Sequence, residues 1–191
     1  MSAADLLTLS RIASAFLLMF LLSHGGIAFK TASFILFLLA SLTDYWDGKL
    51  ARAQGLSTHF GKLMDPIADK FLVLAAFLSF VQLGLVPAWM TAVVVTRDLL
   101  VTGFRLFVPL GHSAQGVRKS GKHKTALQMI LIFFVLGYLV LAETPFWHAE
   151  WEPFARRAVY TCMLFVVFVT VWSGVRFFIK NKDALDAILG Q

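Results

Sequence analysis

The chain carries the stretch TDYWDGKLAR at residues 43–52 and the stretch GKLMDPIADK at residues 61–70. Together they contain four aspartates, Asp44, Asp47, Asp65 and Asp69, and apolar sequence flanks both stretches. A carboxylate at the centre of a membrane helix costs about 2.5–3.5 kcal/mol. Four carboxylates in such sequence therefore need partners, and divalent cations with a phosphate-bearing ligand would neutralise them most economically.

The composition indicates a membrane protein. Of the 191 residues, 59% are hydrophobic and only 15% are charged. This hydrophobic content is well above that of a typical soluble domain. A core cannot bury so much apolar surface in a chain of this length, whereas a bilayer can cover it. The net charge of +6 fits the cytoplasmic side of a membrane protein better than nucleic-acid binding. The single cysteine excludes an intrachain disulfide.

Six apolar segments are long enough to cross a hydrocarbon layer about 30 Å thick. They predict an all-α integral membrane protein with six transmembrane helices near residues 5–24, 30–53, 62–83, 87–107, 122–142 and 156–180. No repeat or low-complexity linker interrupts them, so residues 1–191 are predicted to form one domain. We interpret the first segment as a retained helix and not as a signal peptide.

Basic residues predict the orientation. With the N-terminus inside, all of the 17 lysines and arginines except Lys30, Arg156 and Arg157 fall on the cytoplasmic side. The positive-inside rule then places both termini in the cytoplasm and the four aspartates toward the cytoplasmic ends of the second and third helices.

The spacing of the aspartates predicts a metal site. Asp44 and Asp47 are three residues apart, and Asp65 and Asp69 are four apart, so each pair shares one helix face. Hard oxygen ligands favour Mg²⁺, Mn²⁺ or Ca²⁺, and four carboxylates suit two divalent cations better than one. There are two structural alternatives.

In the first alternative, an aspartate is only the ion-pair partner of Lys49, Lys62 or Lys70. In the second, Asp65 is an N-cap before Pro66, so that the third helix starts near residue 66 or is kinked there. Neither alternative accounts well for four aspartates at this spacing.

The pattern Asp44-x-x-Asp47-Gly48-x-x-Ala51-Arg52, eight residues, Gly61-x-x-x-Asp65-x-x-x-Asp69 resembles the complete signature of the CDP-alcohol phosphatidyltransferase family. The match spans 26 residues with eight fixed identities. The resemblance implies a six-helix membrane fold, usually a homodimer, with its active site at the cytoplasmic face. It also implies that an alcohol attacks the lipid-linked phosphorus of a CDP-lipid and that CMP is released.

The resemblance assigns roles by position. The four aspartates would bind two cations, Mg²⁺ or Mn²⁺, and Asp69 would also be the general base. The cytidine diphosphate part of the lipid would be accommodated by Gly48, Arg52 and Gly61, together with Thr43 and Ala51.

A second group of polar residues bears on the acceptor alcohol. Arg97-Asp98, Gly121-Lys122-x-Lys124-Thr125 with Gln128-Met129, and residues 6–11 resemble the bacterial family members that use glycerol 3-phosphate. The expected substrates are therefore CDP-diacylglycerol and sn-glycerol 3-phosphate, in a bacterial cytoplasmic membrane and without nucleic acid. The expected ligands of the acceptor phosphate are Arg97, Arg105, Arg118, Lys122 and Lys124.

Other interpretations remain open at this stage. The basic residues could contact anionic lipid headgroups instead of a substrate. Ala4-Asp5 replaces the usual Pro-Asn, and an aspartate there weakly disfavours an anionic acceptor. One alternative keeps the chemistry and changes the acceptor to serine, an inositol phosphate or another polar alcohol. Two further alternatives are a metal-dependent membrane prenyltransferase and a cation transporter that uses the carboxylates as a pathway.

Overall fold

The computed structural model describes residues 3–54, 59–107 and 122–182, with side chains described for residues 9–43, 70–104 and 125–182. These residues form six long helices, each ending within four residues of its predicted bounds. They are α1 (Ala3–Ser23), α2 (Ile27–Gln54), α3 (His59–Gln82), α4 (Ala88–Phe107), α5 (Lys122–Ala142) and α6 (Glu152–Lys180), with a 3-10 turn at Ala149–Trp151 before α6.

The start of α3 decides one of the alternatives. The helix begins at His59 and is helical through Pro66 to Gln82, so the interpretation of Asp65 as the N-cap of a helix starting at residue 66 is wrong. A proline inside a helix removes one backbone hydrogen bond. The apolar residues that follow keep α3 helical, because they pack into the bundle core.

The helices pack into one bundle with a shared core. α1 lies against α2 and α3, α3 lies against α4 and α5, and α6 lies against α4 and α5, while α2 also contacts α5. Large apolar side chains fill the centre, and Phe37 of α2 meets Phe133 of α5 edge-on at 5.1 Å between ring centroids. Close van der Waals packing of these side chains stabilises the contacts between the helices.

Contacts at one end of the bundle establish how the helices run. Tyr138 near the end of α5 donates a hydrogen bond to Glu152 at the start of α6 (2.8 Å), and the Arg156 guanidinium reaches the carbonyl of Gly84 between α3 and α4 (3.5 Å). The other end is therefore where α3 and α5 begin and α4 and α6 finish. α2 also finishes there, and we call it the aspartate end.

The opposite end is closed by turns that suit its sequence. Gly84 has a left-handed φ of +67°, with hydrogen bonds from Leu85 N to Phe80 O (3.0 Å) and from Gly84 N to Val81 O (3.0 Å). This is a Schellman ending of α3, which glycine permits without steric cost. Lys30 is buried, and its ammonium donates to the carbonyl of Leu22 at the end of α1 (2.8 Å).

Much of the outer surface is apolar. Phe16, Phe154, Phe168, Trp172 and Ile179 are each at least 60% exposed. Exposed large apolar side chains occur on each of the six long helices, and such a surface is suited to lipid.

Two stretches with described side chains are long and apolar enough to cross a membrane by length and composition. They are Thr125–Ala142 (mean hydropathy 2.3) and Ala149–Lys180 (mean hydropathy 2.1). Only 39% and 33% of their spanning windows are buried inside the molecule, which differs from the core helix of a soluble protein. The shorter apolar stretches Leu9–Ser23, Ile27–Thr43 and Lys70–Gln82 belong to helices with side chains outside the described set. Six spans and their orientation stay predictions.

Candidate functional site

Both aspartate pairs lie in register with buried faces of their helices. On α2 the buried residues Lys30, Ser33, Phe37 and Ala40 recur at steps of three and four, and positions 44 and 47 continue that series. On α3, positions 65 and 69 precede the buried residues Leu72, Ala76 and Phe80 at the same steps. Helical periodicity thus places all four aspartate positions on faces that are buried in the bundle farther along each helix.

The two pairs also lie at matching distances from the link between α2 and α3. Asp47 is seven residues before Gln54 and Asp65 is six after His59, so both lie about 10 Å along their helices at 1.5 Å per residue. Asp44 and Asp69 are each ten residues from these ends, or about 15 Å. The two ends are joined by residues 55–58 and can be no more than about 18 Å apart.

The aspartate side chains themselves lie outside the described set, as do those of Gly48, Ala51, Arg52 and Gly61, whose backbone belongs to α2 and α3. Thr43 is described: its hydroxyl donates to the carbonyls of Leu39 (2.9 Å) and Ala40 (3.1 Å) in its own helix. This hydrogen bond uses the hydroxyl proton, so Thr43 could donate to the cytidine diphosphate only if its hydroxyl rotated, and its role in CDP binding stays a prediction.

The donor chemistry of the four positions fits divalent cations. The four positions carry carboxylates, which are hard oxygen ligands and suit Mg²⁺ or Mn²⁺. Among the side chains that the structure describes, no other group of three His, Cys, Asp or Glu residues could hold a metal ion.

A buried polar network lies next to the aspartate positions. The carboxylate of Asp98 on α4 accepts hydrogen bonds from Lys70 Nζ (3.3 Å) and Gln128 Nε2 (3.2 Å) on Oδ2, and from the Arg97 guanidinium (3.2 Å) on Oδ1. Arg97 also donates to the hydroxyl of Ser173 on α6 (3.0 Å). We call these five residues the Asp98 network, and they connect α3, α4, α5 and α6.

Lys70 is one of the three lysines that the sequence offers as ion-pair partners of the signature aspartates. Its described ion pair is with Asp98, 28 residues farther along the chain. The pair is partly buried, because the side chain of Lys70 is 26% exposed and that of Asp98 only 7%.

Arg97, an expected ligand of the acceptor phosphate, is a central member of this network. Its side chain is buried and runs against Gly174 of α6, where an added Cβ would lie 3.1 Å from Arg97 Cγ and 3.2 Å from Nε. Alanine at position 174 would therefore require the arginine stem to move back by a few tenths of an ångström. Binding of the acceptor phosphate by Arg97 stays a prediction.

The remaining basic residues predicted at the acceptor site lie on or beyond the ends of α4 and α5. Positions 105 and 124 continue the buried faces that contain Asp98 and Gln128, at steps of seven and four residues, toward the aspartate end. Lys122 is the first residue of α5, and Arg118 lies outside the described residues. The backbone thus brings positions 105 and 124 to the same end as the aspartates.

An open groove of about 600 Å³ runs between α4 and α6 on the outside of the bundle. Leu100, Val175 and Phe178 are among its lining residues, and Arg97 and Gly174 also border it. Its apolar lining suits hydrocarbon and does not suit a nucleotide.

The sequence pattern groups Arg97, Asp98 and Gln128 but does not connect them with Lys70 and Ser173. A usable signal was present, because Asp98 and Gln128 interrupt buried apolar faces and a buried polar group requires a partner. The identity of the partners depends on which helices are neighbours.

Comparison with known proteins supports the class indicated by this arrangement. Residues 1–172 match the CDP-alcohol phosphatidyltransferase family, and the chain belongs to that family.

Three relatives carry the name CDP-diacylglycerol–glycerol-3-phosphate 3-phosphatidyltransferase. The protein from Bacillus subtilis is 42% identical over 81% of this chain and 75% of its own length. That from Rickettsia bellii is 36% identical over 72% of this chain and 74% of its own length. That from Cereibacter sphaeroides is 32% identical over 81% of this chain and 73% of its own length.

These findings decide between the classes that the sequence left open. Family membership makes the chain a transferase and confirms the resemblance seen in the signature. It favours this class over a prenyltransferase and over a cation transporter. The family is one of membrane enzymes, which agrees with the apolar surface of the bundle.

Proposed function

We propose that the protein transfers the phosphatidyl group of CDP-diacylglycerol to sn-glycerol 3-phosphate and forms phosphatidylglycerophosphate and CMP. The main support is the complete eight-position signature, whose aspartates continue the buried faces of α2 and α3 at matching depths. The relatives named for this reaction cover most of the chain.

The reaction requires one bond to form and one to break at phosphorus. A hydroxyl of glycerol 3-phosphate attacks the lipid-linked phosphorus, and the bond from that phosphorus to the bridging oxygen of the diphosphate breaks. CMP leaves with the bonding electrons. The hydroxyl proton passes to the carboxylate of Asp69, the proposed general base, which raises the nucleophilicity of the acceptor oxygen.

Asp44, Asp47, Asp65 and Asp69 are the proposed ligands of two divalent cations. When bound, Mg²⁺ or Mn²⁺ neutralises charge on the diphosphate and orients it for in-line displacement. Gly48 and Gly61 leave space for close approach of the cytidine diphosphate, and Arg52 contributes a fork of donors for its phosphates.

The acceptor phosphate is proposed to bind beside the diphosphate. Arg105 and Lys124 are supported by their register with the buried faces of α4 and α5 at the aspartate end. Arg97, Arg118 and Lys122 complete the proposed set. Several positively charged side chains are needed, because the phosphate of the acceptor carries about two negative charges that must be held near the diphosphate.

The enzyme is proposed to work as a homodimer in the bacterial cytoplasmic membrane, with six spans, both termini inside and the active site on the cytoplasmic side. The distribution of basic residues supports this orientation. At that face, glycerol 3-phosphate can enter from water and CMP can leave to water. Labelling of single introduced cysteines at each chain end with an impermeant maleimide, in Cys162→Ser protein in intact cells and inverted vesicles, tests it.

The decisive experiment compares acceptors. Purified protein in detergent receives labelled CDP-diacylglycerol and Mg²⁺ with glycerol 3-phosphate, serine or an inositol phosphate separately, and CMP and lipid products are measured. Glycerol 3-phosphate should give the lipid product and an equal amount of CMP, and Asp69→Asn provides the inactive control. Product from another alcohol, with none from glycerol 3-phosphate, would overturn the assignment.

A further inference from the structure

Asp98 lies at the centre of a buried group of charges. It is 6% exposed, and among the described contacts both of its carboxylate oxygens accept hydrogen bonds, one from Arg97 and the other from Lys70 and Gln128. A carboxylate in this environment cannot turn toward a substrate without leaving two cations less well paired. Asp98 is therefore suited to hold the neighbouring side chains in place and not to bind a substrate.

Lys70 connects Asp98 to the metal site. It follows Asp69 directly and lies five residues after Asp65 on α3, which corresponds to about 1.5 and 7.5 Å along the helix axis. Because a helix moves nearly as a rigid rod over such distances, a shift or rotation of α3 at Lys70 also moves both aspartates. Functional ligands must be held within about 0.5 Å of their productive geometry.

The Asp98 network also connects α3 with α4 and α5, the helices that carry the proposed ligands Arg105 and Lys124 of the acceptor phosphate. Gln128, four residues after Lys124 on α5, donates to the same Asp98 oxygen that pairs with Lys70. Asp98 itself lies seven residues before Arg105 on α4. The Asp98 carboxylate thus connects α3, which carries proposed metal ligands, with α4 and α5, which carry proposed phosphate ligands. It fixes the positions of these helices along the bundle axis relative to one another.

Apolar packing alone holds these helices together less specifically. Val73 and Phe77 of α3 face Val94 of α4 beside the Lys70–Asp98 pair, and all three are buried. Apolar contacts tolerate small sliding, whereas charged hydrogen bonds lose strength steeply with distance and angle. Loss of the network should therefore displace α3 slightly within a bundle that remains folded.

We infer that Asp98 is a positioning residue that holds α3, through Lys70, at the depth and rotation at which Asp65 and Asp69 bind metal. This inference rests on the proposed function for its catalytic consequence. Its structural part concerns metal affinity and can be tested without turnover.

The test measures metal binding by Mn²⁺-dependent thermal stabilisation of the purified full-length protein in detergent. A ligand that binds only the folded state stabilises it by RT ln(1 + [L]/Kd), so the rise of the melting temperature with Mn²⁺ concentration gives the Kd of the folded protein for Mn²⁺. We call this Kd the Mn²⁺ midpoint, because half of the folded protein holds the ion at that concentration. Asp98→Asn removes the anchoring charge with little change in shape. It should raise the Mn²⁺ midpoint by about tenfold, since residues that orient metal ligands are typically worth 10–100-fold in affinity.

Two further variants distinguish positioning from general support. Lys70→Met breaks the same connection from the α3 side and should produce a similar shift in the Mn²⁺ midpoint. Ser173→Ala is the matched control, because it removes a hydrogen bond of Arg97 to α6 and leaves the Lys70–Asp98 pair intact. The Mn²⁺ midpoint of Ser173→Ala should stay within about twofold of wild type, which corresponds to less than RT in binding free energy.

Three outcomes are informative. An unchanged Mn²⁺ midpoint in Asp98→Asn and Lys70→Met, with both variants merely less stable, would overturn the inference. An equal midpoint shift in Ser173→Ala would also overturn it. Should Asp98→Asn not fold, Lys70→Met decides alone. Absence of CMP release by wild type with glycerol 3-phosphate would refute the proposed function and leave the Mn²⁺ result interpretable.

Discussion

Gly174→Ala changes one position where α6 touches the stem of Arg97. The new Cβ would lie 3.1 Å from Arg97 Cγ and 3.2 Å from Nε, whereas carbon atoms pack best at about 3.5–4.0 Å. The stem must then retreat by about 0.5 Å. Its guanidinium is held by Asp98 at 3.2 Å and by Ser173 at 3.0 Å, and such a retreat stretches these bonds to about 3.5 Å or more.

The magnitude follows from two opposing effects. Alanine in place of a helical glycine is worth up to about 1 kcal/mol in favour of the variant. A hydrogen bond involving a charged group contributes about 1.5–3 kcal/mol, so loss of one outweighs this gain. The expected net effect is a destabilisation of about 0.5–2 kcal/mol, or a melting temperature lower by about 1–8 °C for a chain of this size.

The assay is thermal unfolding of the purified protein in detergent, followed by intrinsic tryptophan fluorescence. Gly137→Ala on α5 is the matched control. Apart from its chain neighbours and the nearby backbone of its own helix, no heavy atom lies within 4 Å of the added Cβ. It should melt at or above the wild-type temperature. Equal or higher stability of Gly174→Ala would refute the view that Arg97 is held in place, and an equal loss in both variants would refute the contact as the cause.

Three other predictions test the site and its location. Asp69→Asn should lower turnover at least about 100-fold while equilibrium binding of labelled CDP-diacylglycerol persists, and wild-type turnover would exclude this carboxylate as an essential base. Arg105→Ala should raise the KM for glycerol 3-phosphate more than the KM for CDP-diacylglycerol, whereas equal changes would indicate damaged folding. Arg156→Ala breaks an exposed 2.7 Å pair with Glu152 at the end opposite the aspartates. It should cost at most about 1 kcal/mol and leave turnover intact, so a loss of turnover would contradict the placement of the site.

The sequence was sufficient for features that depend on near neighbours along the chain. Helix existence and bounds follow from long apolar runs and from turn residues such as Gly84, because helices form through contacts three and four residues apart. The signature on α2 and α3 could be recognised for the same reason. Its two halves belong to consecutive helices joined by four residues, so their proximity hardly depends on the rest of the bundle.

Contacts between distant residues required the tertiary structure. Lys70, Asp98, Gln128 and Ser173 are spread over more than 100 positions. Nothing in their local sequence states that α3, α4 and α5 meet at the Asp98 carboxylate, or that Arg97 connects this carboxylate to Ser173 of α6. The role of Gly174 could not be predicted from the sequence either, because its contact with the Arg97 side chain depends on which helix lies next to it. The chain alone determined which groups carry charge within an apolar protein. Packing decided which of them are paired, because pairing depends on distances that only the arrangement of the helices sets.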